Sequence, residues 1–268
     1  MSEKILIPVT HPRYESLKVR ERLIEGFKNE IVATSGLIAH GRGEAFDYLA
    51  GENLIPPAIS AIRATAASII LARNPVLSVN GNLAALASEE VARLNSMANV
   101  QVEVNLFYRS VRRERGIKRV LEQAGVTQVL GVGKDASALI PEIGSQRRRV
   151  DPRGIFSADL VIVPLEDGDR TEALRRMGKK VVAVDLNPLS RTSRLASISI
   201  VGNVVRVMPK LVEEVGRLRR LPLEVSERLS KSFDNNANLA ESIRFIADRL
   251  IELSHRGPAR ELSLEGTE

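Results

Sequence analysis

The chain contains neither cysteine nor tryptophan among its 268 residues. Without cysteine there is no disulfide framework, no cysteine-ligated zinc or iron–sulfur cluster and no thiolate nucleophile, so cysteine-based redox and covalent chemistry are excluded. The cytoplasm is the expected compartment. Aromatic residues make up only 3% of the chain, which leaves few of the rings on which single-stranded nucleic acids stack. Long apolar runs are missing too. The stretches 160–165 and 66–72 fall far short of the roughly 20 residues a membrane-spanning helix needs, and no secretory leader is read in the sequence. No membrane partner is expected.

What is there is an ordinary globular composition, 44% hydrophobic and 27% charged, long enough to bury a substantial core. Thirty-nine Lys and Arg stand against 33 Asp and Glu, a formal charge of +6 with a pI near 9.8. Such a surplus points to an anionic partner, either nucleic acid or a small phosphate-bearing ligand.

Apolar spacing predicts an amphipathic helix over 13–29, with Pro12 as its early-helix proline and Arg20 beside the stripe formed by Leu17, Leu23, Ile24 and Phe27. A glycine-rich turn is expected over 33–43, a short helix over 44–49 and a longer one over 57–73. From residue 75 short β-rich runs alternate with helical ones, the signature of βαβ units on a parallel sheet. Strands are predicted at 76–79, 100–104, 128–132, 160–163, 181–184 and 198–201. Helices are predicted at 83–98, 111–123, 170–177 and 188–195, then at 204–218, 223–232 and 237–254, before a tail that frays from Arg256. The expected organisation is a mostly helical region 1–74 that contributes to the site, an α/β core 75–203, and helices 204–268 that pack on the core or on a partner. The basic runs 109–119, 147–149 and 217–220 read as solvated faces.

In an open parallel sheet, ligands bind beyond the carboxyl ends of the strands. Those ends here carry Asn80-Gly81-Asn82, Asn105, Gly131-Val132-Gly133-Lys134, the run from Pro164 to Thr171, the run from Asp185 to Arg191, and Gly202-Asn203. Each can cap a helix or make a turn, and each can also offer N–H groups to an anion. No P-loop pattern is present. Gly131-Val132-Gly133-Lys134-Asp135-Ala136 fits a dinucleotide pattern, but it follows the third strand and lacks the ribose-binding acid about 20 residues on, which argues against NAD. Gly41-Arg42-Gly43, read as lying just before a helix, would bring backbone and guanidinium close to a phosphate. His40 beside it is either a structural hydrogen-bonding residue or a ligand contact. The acids of the run Glu166–Arg170 either hold Mg²⁺ or stabilise a helix amino terminus.

The segments His11-Pro12-Arg13-Tyr14, 36–49, Ser78-Val79-Asn80-Gly81-Asn82, Asn105-Leu106-Phe107-Tyr108-Arg109, 163–174 and 184–191 resemble the archaeal phosphopantothenate synthetase (4-phosphopantoate–β-alanine ligase) family over residues 8–250. The resemblance implies a Rossmann-like α/β core with helical additions at both termini, and a homodimer. It also implies an ATP-dependent acid–amino-acid ligase of coenzyme A biosynthesis, which joins 4-phosphopantoate to β-alanine and releases AMP and pyrophosphate through an acyl-adenylate. The ATP contacts it implies fall on Arg20, Arg42, Asp185, Leu186, Asn187, Arg191, Thr192, Asn203 and Val204. On residue chemistry, Arg42 and Arg191 are expected to neutralise phosphates, and Asp185 and Asn187 to address the adenosine. Asn80, Gly81, Asn82 and His40 are expected to hold phosphopantoate. Asp167 and Asp169 either bind Mg²⁺ or orient Arg170 and the β-alanine ammonium, with His40, Asp169 and Arg170 as the catalytic candidates. Two rivals make different predictions. A pantoate-type kinase on the same fold releases ADP, and a nucleic-acid-binding protein shows affinity that collapses with salt. The nucleic-acid reading is not favoured, because the arginines in these motifs account for part of the surplus charge.

Overall fold

The structure is a computed structural model that describes residues 7–11 and 13–257. Pro12 and residues 258–268 of the expected tail lie outside the described residues. The chain begins with helices α1 (Tyr14–Lys28), α2 (Thr34–Ala50) and α3 (Pro56–Leu71). An alternating stretch follows: β1 (Pro75–Val79), α4 (Gly81–Ala98), β2 (Gln101–Val104), α5 (Val111–Gln123) and β3 (Val129–Leu130). An irregular crossover then carries a small hairpin of β4 (Ala138–Leu139) and β5 (Arg149–Val150). Alternation resumes with β6 (Leu160–Pro164), α6 (Gly168–Arg176), β7 (Lys180–Asp185), α7 (Arg191–Leu195) and β8 (Ile198–Val201), and α8 (Val204–Leu218), α9 (Leu223–Lys231) and α10 (Asn235–Arg256) close the chain.

All six expected strands join one parallel sheet in the order β3-β2-β1-β6-β7-β8. That is the Rossmann order, in which the chain winds outward from β1, returns across it and winds the other way. β1 and β6 are buried at every position, so their continuous Val, Leu and Ile runs follow from burial on both faces. Side chains alternate with the two-residue strand period. Leu77, Ile162, Val182 and Ile200 face a core shared with α1, α3, α4, α5 and α8. Val76, Val161, Val163 and Val181 face a smaller core made by α6 and the crossover residues Ile140, Ile143, Val150 and Ile155. α3 is buried almost all round by its small residues, among them Ala58, Ala61, Ala64, Ala66 and Ala67. Among the described residues no helix is long and apolar enough to cross a membrane.

Three local expectations need correcting. The segment 33–43 is no turn: α2 runs unbroken from Thr34 to Ala50 and absorbs the short helix expected at 44–49. Each glycine costs about 1 kcal/mol of helix propensity against alanine, but tertiary packing calls for small residues here. A Cβ on Gly36 would collide with the Asn82 side chain, and one on Gly43 would stand 3.1 Å from Leu186. The Gly41 and Gly43 amides belong to a helix, so they cannot cradle a phosphate as the turn reading required. The helix expected at 188–195 shrinks to the single turn α7, because the Asn187 side chain accepts from the Leu189 amide and Ser190 caps at Ser193. The β4–β5 hairpin was not anticipated.

Candidate active site

The sheet order opens a crevice between the carboxyl ends of β1 and β6, a cleft of about 440 Å³ walled by α2, α5 and the crossover. Asn80 builds its floor. Its side chain caps α4 by accepting from the Leu83 amide at 3.0 Å, and donates across the crevice to the carbonyls of Pro164 at 2.9 Å and Leu165 at 3.2 Å. Gly81 can only be glycine, since a Cβ would run into the Ile31 carbonyl oxygen. Asn82 donates to the Gly36 carbonyl at 2.9 Å and ties α4 to α2. The three residues expected to touch substrate do line the cleft, but both asparagine side-chain amides are already spent on protein carbonyls.

The loop after β6 supplies the acids. Glu166 is nearly inaccessible and is shared by two arginines, one oxygen facing Arg147 and the other Arg170. Arg170 is wholly buried and also donates to the Ser78 hydroxyl at 3.0 Å. It therefore lies behind Glu166, and no part of it is exposed in the cleft, contrary to its expected place among the catalytic groups. Burial lowers both guanidinium pKa values to about 10, with Glu103 and Asp167 opposing the shift at Arg170, and each remains charged near neutrality. Asp167 caps α6 by accepting from the Arg170 amide at 2.9 Å, and its other oxygen lies 3.5 Å from Arg147 Nη1. Asp169 is 72% exposed and pairs with Arg191 instead. The two carboxylates expected to share a metal are thus held by different arginines. Among the described residues no group of three or more His, Asp or Glu is placed to hold a metal ion.

Within two basic runs read as solvated faces, Arg109, Arg113 and Arg147 turn inward, while Arg112, Arg115, Arg119 and Arg148 are exposed as expected. Arg147, on the crossover, is 8% exposed, lines the cleft and has its guanidinium 6.0 Å over the Phe107 ring. Arg113, from α5, reaches the Ile31 carbonyl at 3.0 Å and the Tyr108 carbonyl, and burial lowers its pKa. Asn105 donates to the carbonyls of both Arg147 and Arg149 at 3.1 Å, and Arg109 pairs with buried Glu114 while donating to the Arg149 and Gly131 carbonyls. These side chains satisfy the crossover backbone, as buried carbonyls require. The signal in the sequence was the motif Asn105–Arg109, whose polar ends flank apolar residues at a strand end. Gly131-Val132-Gly133 also has its amides committed, to Asp151 at 3.4 Å and Glu114 at 2.8 Å.

α2 is the wall between this cleft and a second one. Arg42 lines the first cleft and acts electrostatically on Asp185 at the end of β7. Burial raises the Asp185 carboxyl, opposed by the Ser190 hydroxyl at 2.5 Å, the Asn187 amide at 3.0 Å and Arg42. Leu186 packs beneath Gly43, and Thr192 donates to the Glu166 carbonyl at 2.9 Å, joining the β7 and β6 loops. His40, Glu44 and Asp47 face the second cleft, of about 720 Å³, together with His11, Arg13, Asn203 and Arg206. Burial lowers the His40 pKa against the pull of Glu44 and Asp47, so the ring is neutral near pH 7. Burial also raises the Glu44 carboxyl, but the Tyr48 hydroxyl, Arg20 and Arg13 overcome it and hold it below its ordinary value. Asn203 caps α8, just before Val204, and donates to Asp47 at 2.8 Å, while Arg206 pairs with the same carboxylate. His40 and Asn80–Asn82, expected to hold one substrate together, therefore lie on opposite sides of α2.

Comparison with known proteins agrees with this architecture. The profile of the phosphopantothenate/pantothenate synthetase family matches residues 57–249. The chain is 48% identical to the 4-phosphopantoate–β-alanine ligase of Thermococcus kodakarensis, over 97% of its own length and 99% of the relative. It is 46% identical to the enzyme of the same name from Thermococcus onnurineus, over 97% and 100%, and 46% identical to that of Methanosarcina mazei, over 91% and 95%.

Proposed function

The chain belongs to the phosphopantothenate/pantothenate synthetase family, and from that premise we propose that it is a 4-phosphopantoate–β-alanine ligase of coenzyme A biosynthesis, acting in the cytoplasm as a homodimer. The substrate carboxylate attacks the α-phosphorus of ATP, a P–O bond forms and pyrophosphate leaves. The β-alanine nitrogen then attacks the acyl carbon, its C–N bond replaces the C–O bond to AMP, and the amine proton passes to a base. Family membership carries this reading. The arginine-walled crevice at the switch point supports it, because joining two anions needs fixed positive charge in the transition state.

Nucleotide is assigned to the half of the crevice after β7 and β8. Asp185 and Asn187 face the adenosine there, Leu186 and Thr192 shape the pocket, Arg42 and Arg191 face the phosphates, and Arg20, Asn203 and Val204 close the far side. Asp169 holds Arg191 in place, and Arg170 positions Glu166 from behind. The amine proton passes to a carboxylate of the crevice or to His40, which stands across α2 from Asn80–Asn82. Mg²⁺ fits at one carboxylate only: Asp167 Oδ2 is buried without a hydrogen-bond donor, and such an ion takes most of its ligands from substrate phosphates and water. When bound, it offsets charge on the triphosphate. The test is to incubate the protein with ATP, 4-phosphopantoate and β-alanine and follow the products by mass spectrometry. AMP, pyrophosphate and 4′-phosphopantothenate are expected in equal amounts. ADP as the stoichiometric product would replace the ligase by a kinase.

A further inference from the structure

β2 reads Gln-Val-Glu-Val over 101–104, and its two-residue period sends Val102 and Val104 into the larger core and Glu103 to the opposite face. There Glu103 is fully buried, in register with Ser78 of β1 and Leu130 of β3. A carboxylate in the middle of a buried parallel strand is costly unless it is hydrogen-bonded and paired, and the ligation steps do not use it. What it holds is the crossover. One oxygen accepts from the Asp151 amide at 3.0 Å and the other from the Ile155 amide at 2.6 Å. The backbone closes in on it from two sides: a Cβ on Gly131 would stand 2.6 Å from its Cγ, and one on Gly154 would collide with its Oε2.

The crossover depends on such ties. Between β3 and β6 it forms two-residue strands and three-residue turns of 3₁₀ helix, so side chains from neighbouring elements fix its path where a long backbone ladder would otherwise do so. Arg147, four residues before Asp151, lines the cleft from this segment. The same carboxylate acts electrostatically on Arg170. Arg170 in turn holds Glu166, and its Nε and Nη2 groups are buried without a hydrogen-bond partner. We infer that Glu103 is a positioning residue for the cleft: its two oxygens dock residues 151–155 against β2, which fixes the wall that carries Arg147, and its charge steadies Arg170 behind Glu166. This rests on the reading of the cleft as the ligation site. Charge that stabilises a transition state must already be in place when the reaction occurs, and a small misplacement of a wall costs rate more than it costs binding of a substrate held elsewhere.

Two variants of the full-length protein approach the carboxylate from different sides. Glu103→Gln keeps the shape of the side chain but offers one acceptor oxygen where there were two, so one of the two amides faces an NH₂ group. Gly154→Ala leaves the acid in place and presses a methyl group on its Oε2. At pH 8, above the value of about 7 to which burial pushes this carboxyl, both should lower kcat by about ten- to a hundredfold. The KM for ATP, whose proposed residues follow β7 and β8, should stay that of the wild type. Amide hydrogen exchange reads the docking without turnover. In both variants protection should fall about three- to tenfold in peptides covering 147–155, the difference between a charge-assisted and a neutral hydrogen bond, and hold in β6 and β7. Wild-type kcat in both variants, an equal rise in the KM for ATP, unchanged exchange at 147–155, or protection lost evenly through the chain overturns the inference. A wild type that makes no AMP from 4-phosphopantoate overturns the proposed function instead, and the exchange arm then still decides whether Glu103 docks the crossover.

Discussion

At the residue scale, α2 presents two chemistries on two faces. Arg42→Ala should raise the KM for ATP or abolish turnover while the circular dichroism spectrum stays that of the wild type; unchanged kinetics would take Arg42 out of the mechanism. His40→Gln should lower kcat and remove the acidic limb of the pH–rate profile, since the ring must be neutral to accept a proton and burial keeps its pKa below 6.5. Glu103 on β2 also bears on stability. It is fully buried and accepts from the amides of Asp151 at 3.0 Å and Ile155 at 2.6 Å. Burial pushes its carboxyl up to about 7, in spite of those donors and Arg170. Between its unfolded value near 4.5 and about 7, the folded chain holds the proton that the unfolded chain releases. Stability therefore falls as pH rises through that window and levels off above it. The unfolding temperature of the wild type should drop more between pH 5 and pH 7.5 than that of Glu103→Gln, and parallel curves would show that Glu103 does not titrate there.

At the scale of elements, the close approach of α4 to the Ile31 carbonyl makes Gly81 a sharp test. Gly81→Ala should lower stability by about 1–3 kcal/mol or more, because backbone rather than a flexible side chain must move; a denaturant midpoint equal to wild type would refute that account. The strands were legible in the sequence because burial on both faces writes itself as unbroken Val and Ile runs such as 160–163 and 181–184. α2 was not legible. Gly36, Gly41 and Gly43 argue locally for a turn, and what overrides them is packing against Asn82 and Leu186, which only the fold brings near. The hairpin is too short to show a two-residue period, and its backbone partners, Asn105 and Arg109, come from the end of β2. Arg147 was misread for a related reason. A run of arginines looks the same whether water or Glu166 faces it, so the cleft floor was legible as loops whereas its cationic wall was not.

At the scale of the whole molecule, the +6 charge is no longer a general attraction to anions. Arg42, Arg113, Arg147 and Arg170 concentrate part of it at one switch point, while Arg217 and Arg219 remain on or beside the exposed end of α8. The sheet order that creates that point also sets one helix between two clefts, and this has a thermodynamic consequence. A ligand that orders α2 lowers the entropy still to be lost when a second ligand binds against the same helix. The coupling must then be reciprocal: the factor by which 4-phosphopantoate tightens ATP equals the factor by which ATP tightens 4-phosphopantoate. Calorimetric titration of each ligand with and without the other, in the absence of β-alanine and with a non-hydrolysable ATP analogue, should give one shared factor greater than one. A factor of one would mean that α2 is a rigid wall, and that each substrate binds in ignorance of the other.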